Sequence, residues 1–293
     1  MDILHEHFII NNSMENNLAN TKLAFIGCGV MAESMIAGLL RKNLVAAEQI
    51  IATHPRENRR NELGEKYKIE VLAENIKAVE QVRESADSIV ALCVKPQRIA
   101  GVLDELKSVV AAEQLIVSII AGAKIETISE MLNNQKIVRA MPNTPSQIGA
   151  GITAWTCTES VSIDERANIK SLLTALGKEI YVENENMIDM ATSLSATGPT
   201  YIFMVMEALT DAGVHLGFSR EVSKELVQET MLGSVKFAIE SHKHPAELRN
   251  MVTSPGGTSA EAIYQMEKGG LRTVLSKAVY SAYQKAVALG KKK

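Results

Sequence analysis

Residues 22–40, KLAFIGCGVMAESMIAGLL, limit the possible folds more than any other stretch of the chain. Leu23, Ala24, Phe25 and Ile26 form an apolar run that ends at Gly27 and Gly29. Met31, Met35, Ile36, Leu39 and Leu40 then recur at the spacing of a helix with one buried face. A buried parallel strand, a glycine turn and a helix are expected in that order, which is the pattern of a dinucleotide-binding fold. Gly27 permits the tight turn. Gly29, lacking a Cβ, lets the backbone approach a pyrophosphate while the helix start aims N–H groups at it. Ala32 stands where the third glycine of the fingerprint usually sits, a helix-on-strand packing position that tolerates alanine.

The alternation continues beyond that unit. Strands are expected at 49–53, 70–72, 88–94, 115–120 and 136–140, and helices at 59–67, 75–84 and 125–132, so the fold class is α/β with a Rossmann-type doubly wound parallel sheet. No element is assigned to 97–114. Strands at 151–157 and 179–183 with a helix at 163–176 complete the sheet's far edge. Two prolines in Met141-Pro142-Asn143-Thr144-Pro145 predict an irregular loop at the crevice. From 187 onward the pattern is helical alone, giving three segments: a flexible tail at 1–20, an NADP-binding Rossmann domain at 21–186 and an all-helical domain at 187–293. Pro199 opens one long helix that Gly213 and Gly217 end, and Ser219 caps the next, at 220–241.

Composition narrows the partners. A chain of 293 residues that is 46% hydrophobic can bury two cores, and 31 Lys and Arg against 34 Asp and Glu argue against a nucleic-acid or membrane-surface protein. No apolar run reaches the roughly 18–20 residues of a membrane span. The three cysteines match no zinc or redox spacing, so reduced thiols and a cytoplasmic location are expected, and the opening segment lacks the pattern of a signal peptide. The Met- and Ala-rich helices after 187 are too apolar to stand alone in water, which predicts a homodimer or higher homo-oligomer.

Several residues are placed to carry chemistry. After the second strand no carboxylate stands ready for ribose hydroxyls, whereas Arg56 suits a ribose 2′-phosphate, so NADPH is expected as cofactor, with NADH possible. Arg59 and Arg60 equally suit a solvated helix face. Lys95, at a strand end stopped by Pro96, is expected at the crevice, with a solvated loop lysine as the alternative, and Ala121 and Gly122 permit close approach of a ligand. Cys28 has no base near it and reads as a small filler. In the second half, Ser195-Ala196-Thr197-Gly198-Pro199 is a small-residue turn that could cradle an anion. Ser254-Pro255-Gly256-Gly257-Thr258-Ser259, opening a helix, reads equally as a carboxylate receptor built without charge or as an ordinary Ser/Gly-rich loop. This half shows no cluster with metal-ligand spacing, and no metal is expected.

The IGCGVM turn, CVKP, RAMPNTP, ATGPTY, DAGVHLGFSR, HPAEL and VTSPGGTS together resemble the pyrroline-5-carboxylate reductases, enzymes that make L-proline, from residue 22 to the C-terminus. The resemblance implies a Rossmann domain and a helical domain that interlocks in a dimer. It implies that Ile26, Gly27, Cys28, Gly29, Val30 and Met31 hold the pyrophosphate, and that Asn75 and Arg56 serve the adenosine ribose region. Cys93, Val94, Lys95 and Pro96 with Ala121 and Gly122 would lie on the nicotinamide side. Ser254, Gly256, Gly257 and Thr258 would bind the substrate carboxylate. Ser259 stands where the family usually has threonine, as the catalytic hydroxyl that meets the ring nitrogen. The implied reaction is hydride transfer to the protonated C=N bond of 1-pyrroline-5-carboxylate. Reduction of another cyclic imine or a 2-hydroxy acid, or dinucleotide binding without turnover, are the alternatives on the same fold.

Overall fold

The computed structural model describes residues 18–85 and 87–291. Its chain divides into two compact units, residues 1–188 and 189–293. The first begins with β1 (Lys22–Ile26), α1 (Val30–Arg41), β2 (Ile50–Thr53), α2 (Glu57–Tyr67), β3 (Glu70–Leu72), α3 (Asn75–Arg83) and β4 (Ser88–Leu92). It continues through α4 (Ile99–Leu106), β5 (Leu115–Ser118), α5 (Ile125–Leu132), β6 (Ile137–Met141), β7 (Gly151–Cys157), α6 (Ile163–Thr174) and β8 (Gly177–Tyr181). Strand order is β3-β2-β1-β4-β5-β6-β7-β8. All pairs are parallel except β6 with β7, where the chain reverses, so the sheet is parallel-dominated rather than wholly parallel.

Both faces of the sheet are covered, which explains why its central strands read as unbroken apolar runs instead of alternating ones. Along β1, Leu23 and Phe25 join one core layer with Met35, Leu39, Leu172 and Leu173 of α1 and α6. Ala24 and Ile26 point the other way and pack with Val79 and Val82 of α3, Leu103 and Leu106 of α4, and Leu132 of α5. The span 97–114, left without an element by the sequence pattern, holds α4. Its two fully buried leucines contribute about 1.5–3 kcal/mol each to that layer.

The helical domain comprises the end of α7 (Asn186–Ala191), a π-helical turn at Thr192–Ala196, α8 (Gly198–His215), α9 (Arg220–Ser241), α10 (Pro245–Met251), α11 (Thr258–Lys268) and α12 (Leu271–Gly290). Ser219 caps α9 by accepting the N–H of Val222. Gly213 lies inside α8 and does not end it. A Cβ there would come within 2.1 Å of the Ser223 Oγ on α9, so this glycine lets two helices approach, and Gly217, at φ +110°, is the terminator.

Three other expectations change. The tail was expected to reach residue 20, but Leu18 is fully buried in the core, and the Gln49 side-chain amide donates to the carbonyls of Leu18, Ala19 and Thr21, so residues 18–20 belong to the fold. Residues 1–17 lie outside the described residues. The Met141–Pro145 segment enters a 3-10 turn at Thr144–Ile148, because Pro145 fits the first turn of a helix, where its missing N–H is not needed. The small-residue turn at 195–199 is helical: the Thr197 N–H is spent on the Thr192 carbonyl, and the Thr197 carbonyl accepts from Thr200 N–H, so no anion cradle forms there.

Candidate functional site

The order of strands reverses between β1 and β4, and a parallel sheet opens a crevice at the carboxyl ends of such strands. Two loops meet there: the glycine turn after β1 and residues 93–95 after β4. Gly27, Gly29, Thr53, Asn75, Val94 and Lys95 line a cleft of about 560 Å³. Gly27 sits at φ +85°, and a Cβ on it would lie 2.5 Å from Val94 Cγ1, so the turn and the β4 loop interlock only through glycine. Gly29 meets the opposite situation. It is the N-cap of α1 with ordinary extended angles, and nothing lies within 4 Å of where its Cβ would be. The first-turn amides of Val30, Met31 and Ala32 precede the first intrahelical bond, that of Glu33 N–H to the Gly29 carbonyl. An open glycine followed by these donors fits the pyrophosphate of a dinucleotide.

The remaining residues expected at the cofactor take different positions. Ile26 and Cys28 are fully buried, one in each core layer, so their contribution is backbone; the Cys28 N–H itself donates to the Thr53 carbonyl at 2.7 Å. Burial pushes the Cys28 thiol up to about 12, with the nearby Arg59 charge only partly opposing it, which leaves a neutral filler and no nucleophile. Cys93 is raised for the same reason. Pro96 starts a 3-10 turn with Lys95 as its N-cap, and Gly122 adopts φ +76° in the turn that precedes α5.

Arg56 and its neighbours separate cleanly. Arg59 pairs with Glu33 and, at 2.6 Å, with Glu62, and Arg60 donates to the carbonyls of His54 and Pro55. Arg56, the exposed N-cap of α2, uses its backbone N–H on the His54 imidazole and leaves its guanidinium toward solvent. The loop is thus stiffened by two arginines and presents the third.

Glu33, in the first turn of α1, anchors α2 by accepting from Arg59, Lys66 (2.9 Å) and Tyr67 (2.8 Å). Burial alone opposes its ionisation, but the hydrogen bonds from Lys66, Arg59 and Tyr67 outweigh it and hold the carboxyl at about 2 against 4.5. The folded state therefore binds its proton less readily than the unfolded chain, so Glu33 stabilises above pH 4.5, and the contribution fades as pH falls from there toward about 2. Glu33→Gln should lower the urea midpoint at neutral pH by an amount equivalent to about 1–2 kcal/mol after solvent screening. The gap to wild type should narrow steadily below pH 4.5, and a gap independent of pH would refute this linkage.

In the helical domain the SPGGTS segment forms a turn with a bond from Gly257 N–H to the Ser254 carbonyl at 3.0 Å. Pro255 and Gly256, the latter at φ +70°, occupy its middle, the arrangement in which proline presets the second position and only glycine suits the third. Gly257 is the N-cap of α11, and the first intrahelical bonds come from Ala260 and Glu261. The amides of Thr258 and Ser259 therefore precede the hydrogen-bond ladder, beside the hydroxyls of Ser254, Thr258 and Ser259. Among the described residues no group of histidines, cysteines and carboxylates could hold a metal, and no helix is long and apolar enough to cross a membrane.

Sequence reasoning did not name Thr53, Gln97, Arg98 or Glu105, which also line the cleft. Gln97, Arg98 and Glu105 sit on or just before α4, and the pattern Ile99, Val102, Leu103, Leu106 was the signal that would have found that helix.

Residues 185–289 match the family model described as pyrroline-5-carboxylate reductase dimerisation, and residues 22–122 match that described as NADP oxidoreductase coenzyme F420-dependent. A pyrroline-5-carboxylate reductase of Synechocystis sp. is 37% identical over 271 residues, 92% of this chain and 99% of that protein. The crystal structure of Plasmodium falciparum pyrroline carboxylate reductase with NADP bound matches with a TM-score of 0.84 at 29% identity, over 93% of this chain and 99% of that one. A pyrroline-5-carboxylate reductase from Coxiella burnetii gives 0.83 at 34% identity, over 93% and 100%.

Proposed function

Because this chain belongs to the pyrroline-5-carboxylate reductase family, we infer that it reduces 1-pyrroline-5-carboxylate to L-proline with NADPH. The observation that carries the reading is the glycine turn at the strand-order reversal, open at Gly29, in a chain that also keeps the uncharged SPGGT loop.

When bound, NADPH supplies a hydride from C4 of its nicotinamide. Val30, Met31 and Ala32 would hold the pyrophosphate on their amides, Arg56 the 2′-phosphate and Asn75 the adenosine ribose. Residues 93–96 with Ala121 and Gly122 would border the nicotinamide. Ser254, Gly256, Gly257 and Thr258 would bind the substrate carboxylate on neutral donors. A cyclic C=N bond accepts hydride readily once its nitrogen is protonated, so the chain's task is orientation more than acid catalysis. The Ser259 hydroxyl is assigned the hydrogen bond to the ring nitrogen, steadying the amine as it forms. Ser259→Ala should lower kcat about tenfold or more while the KM for NADPH stays within twofold, and Ser259→Thr should restore kcat. Unchanged turnover in the alanine variant would remove Ser259 from this role.

The apolar faces of α8 and α9, where Phe203 and Val235 stand more than half exposed, together with the dimerisation model they match, support a homodimer or larger homo-oligomer. Free thiols at Cys28, Cys93 and Cys157 favour a reducing, cytoplasmic setting. The deciding assay follows nucleotide oxidation with 1-pyrroline-5-carboxylate, run with NADPH and with NADH. Wild type should prefer NADPH, and Arg56→Ala should cut that preference about tenfold, as expected for one charge-assisted contact to phosphate. No oxidation of either nucleotide would overturn the function.

A further inference from the structure

A chain of hydrogen bonds along the cleft has only one possible direction. Gly27 N–H lies 2.9 Å from Thr53 Oγ1, Thr53 Oγ1 lies 2.7 Å from Asn75 Oδ1, and Asn75 Nδ2 lies 2.9 Å from Glu105 Oε2. Its two ends fix everything between. A backbone N–H can only donate and a carboxylate can only accept, so the Asn75 nitrogen must face Glu105 and its oxygen must face Thr53. Thr53 must then give its hydrogen to Asn75 and receive the N–H of Gly27 on its oxygen. Were Asn75 turned over, its oxygen would meet the Glu105 carboxylate with no hydrogen between them, and the Thr53 hydroxyl hydrogen would lose its acceptor. The amide is locked.

We propose that Thr53 and Glu105 are positioning residues for the dinucleotide: through this chain they hold the Gly27 peptide and fix Asn75 as a donor to an oxygen of the ribose–phosphate backbone. The proposal rests on the reading that the cleft takes NADPH. Asn75 has two Nδ2 hydrogens, and Glu105 consumes one, which leaves the other as the group Asn75 can offer a ligand oxygen. All four residues line the cleft. Thr53, nearly fully buried at the end of β2, is held by the sheet, while Glu105 approaches from α4 on the far side of Asn75. Neither needs to touch the ligand. The arrangement also explains a carboxylate in a cleft for a polyanion, since Glu105 is spent on orienting an amide and its partner does the binding.

Direct titration of the full chain with NADPH and with NADH tests this, followed by steady-state kinetics with 1-pyrroline-5-carboxylate. Thr53→Val, which keeps the shape but removes both bonds, and Glu105→Leu should each weaken NADPH about tenfold, the worth of one well-made hydrogen bond. NADH should weaken by the same factor, because the relay serves the part both nucleotides share, in contrast to Arg56→Ala. The kcat and the KM for the imino acid should stay within twofold. Thr53→Ser and Glu105→Gln can keep the same polarity and should bind nearly as wild type. The double variant Thr53→Val with Glu105→Leu should be little worse than either single one, since both break one chain. Glu105 is only partly buried, so its variants are the control should a buried valine at 53 disturb β2. Wild-type affinity in Glu105→Leu, or singles that multiply fully in the double variant, would overturn the relay while leaving the enzyme's function standing. A wild type that binds neither nucleotide would remove both.

Discussion

Valine at position 27 should abolish NADPH binding and lower the stability of the Rossmann domain, whereas alanine at position 29 should abolish much of the binding and leave stability intact. The two glycines are two residues apart in one motif, yet the structure gives them different reasons to be glycine. At Gly27 the backbone is at φ +85°, which a β-branched residue occupies only under strain, and its Cβ would stand 2.5 Å from Val94 Cγ1 and 3.3 Å from the Val94 backbone. Relief requires moving the β4 loop, which itself borders the cleft, so strain and lost geometry together cost about 3 kcal/mol or more. At Gly29 the angles suit any residue and a methyl meets nothing within 4 Å, so the fold is indifferent to it. The methyl instead occupies the approach to the Val30–Ala32 amides. The expected outcome for Gly29→Ala is a thermal transition within about 1–2 °C of wild type and a KM for NADPH raised roughly 10- to 100-fold. For Gly27→Val the expectation is a transition lowered by several degrees and a loss of kcat/KM for NADPH of at least about 100-fold. A Gly29→Ala protein that binds NADPH as wild type would mean the pyrophosphate does not sit over this turn.

The same contrast marks what could and could not be read from the residues. Strands buried on both faces announce themselves as apolar runs, and β1, β4 and β5 were legible for that reason. Helices α5 and α9 had clear limits, the latter through Ser219 as cap. The short α4 was hidden because Pro96 and Gly101 punctuate it and its eight residues give barely two turns of pattern. With it went Gln97, Arg98 and Glu105. Ser195-Ala196-Thr197 misled in the opposite sense: these small residues read as a turn leading into the helix that Pro199 opens, as it does, yet the chain is already helical before it, through the π-helical turn at Thr192–Ala196. Position after the second strand already favoured Arg56 for the phosphate, while Arg59 stood open between that role and a solvated helix face. What the sequence could not show is Glu33, far away along the chain, which claims Arg59, while Arg56 stays exposed. Thr53 was invisible because a threonine ending a strand is ordinary, and only its partners at positions 27 and 75 give it a task.

Gly257→Val should raise the KM for the imino acid at least about 100-fold while leaving the affinity for NADPH within twofold. Backbone strain is not the cause, since Gly257 has φ −82° and ψ 167°, angles that valine favours. The side chain is the problem: its Cβ would lie 2.5 Å from Ser254 Oγ and 3.2 Å from the Ser254 carbonyl oxygen. The hydroxyl must swing away, and the carbonyl that closes the turn by accepting Gly257 N–H is pushed with it. Two donors proposed for the carboxylate, the Ser254 hydroxyl and the amides at the start of α11, then no longer converge. Hydrogen bonds to a charged group contribute about 1.5–3 kcal/mol each, so losing two accounts for a factor of about 100 or more. Ser254→Ala removes the hydroxyl without moving the turn and should fall between the variant and wild type, at roughly tenfold. The residues lining the cofactor cleft all belong to the first unit, which is why nucleotide affinity is the control. If Gly257→Val lost NADPH and imino acid equally, the damage would be global and the loop would have no special claim on the carboxylate. If it lost neither, the carboxylate would have to be held elsewhere.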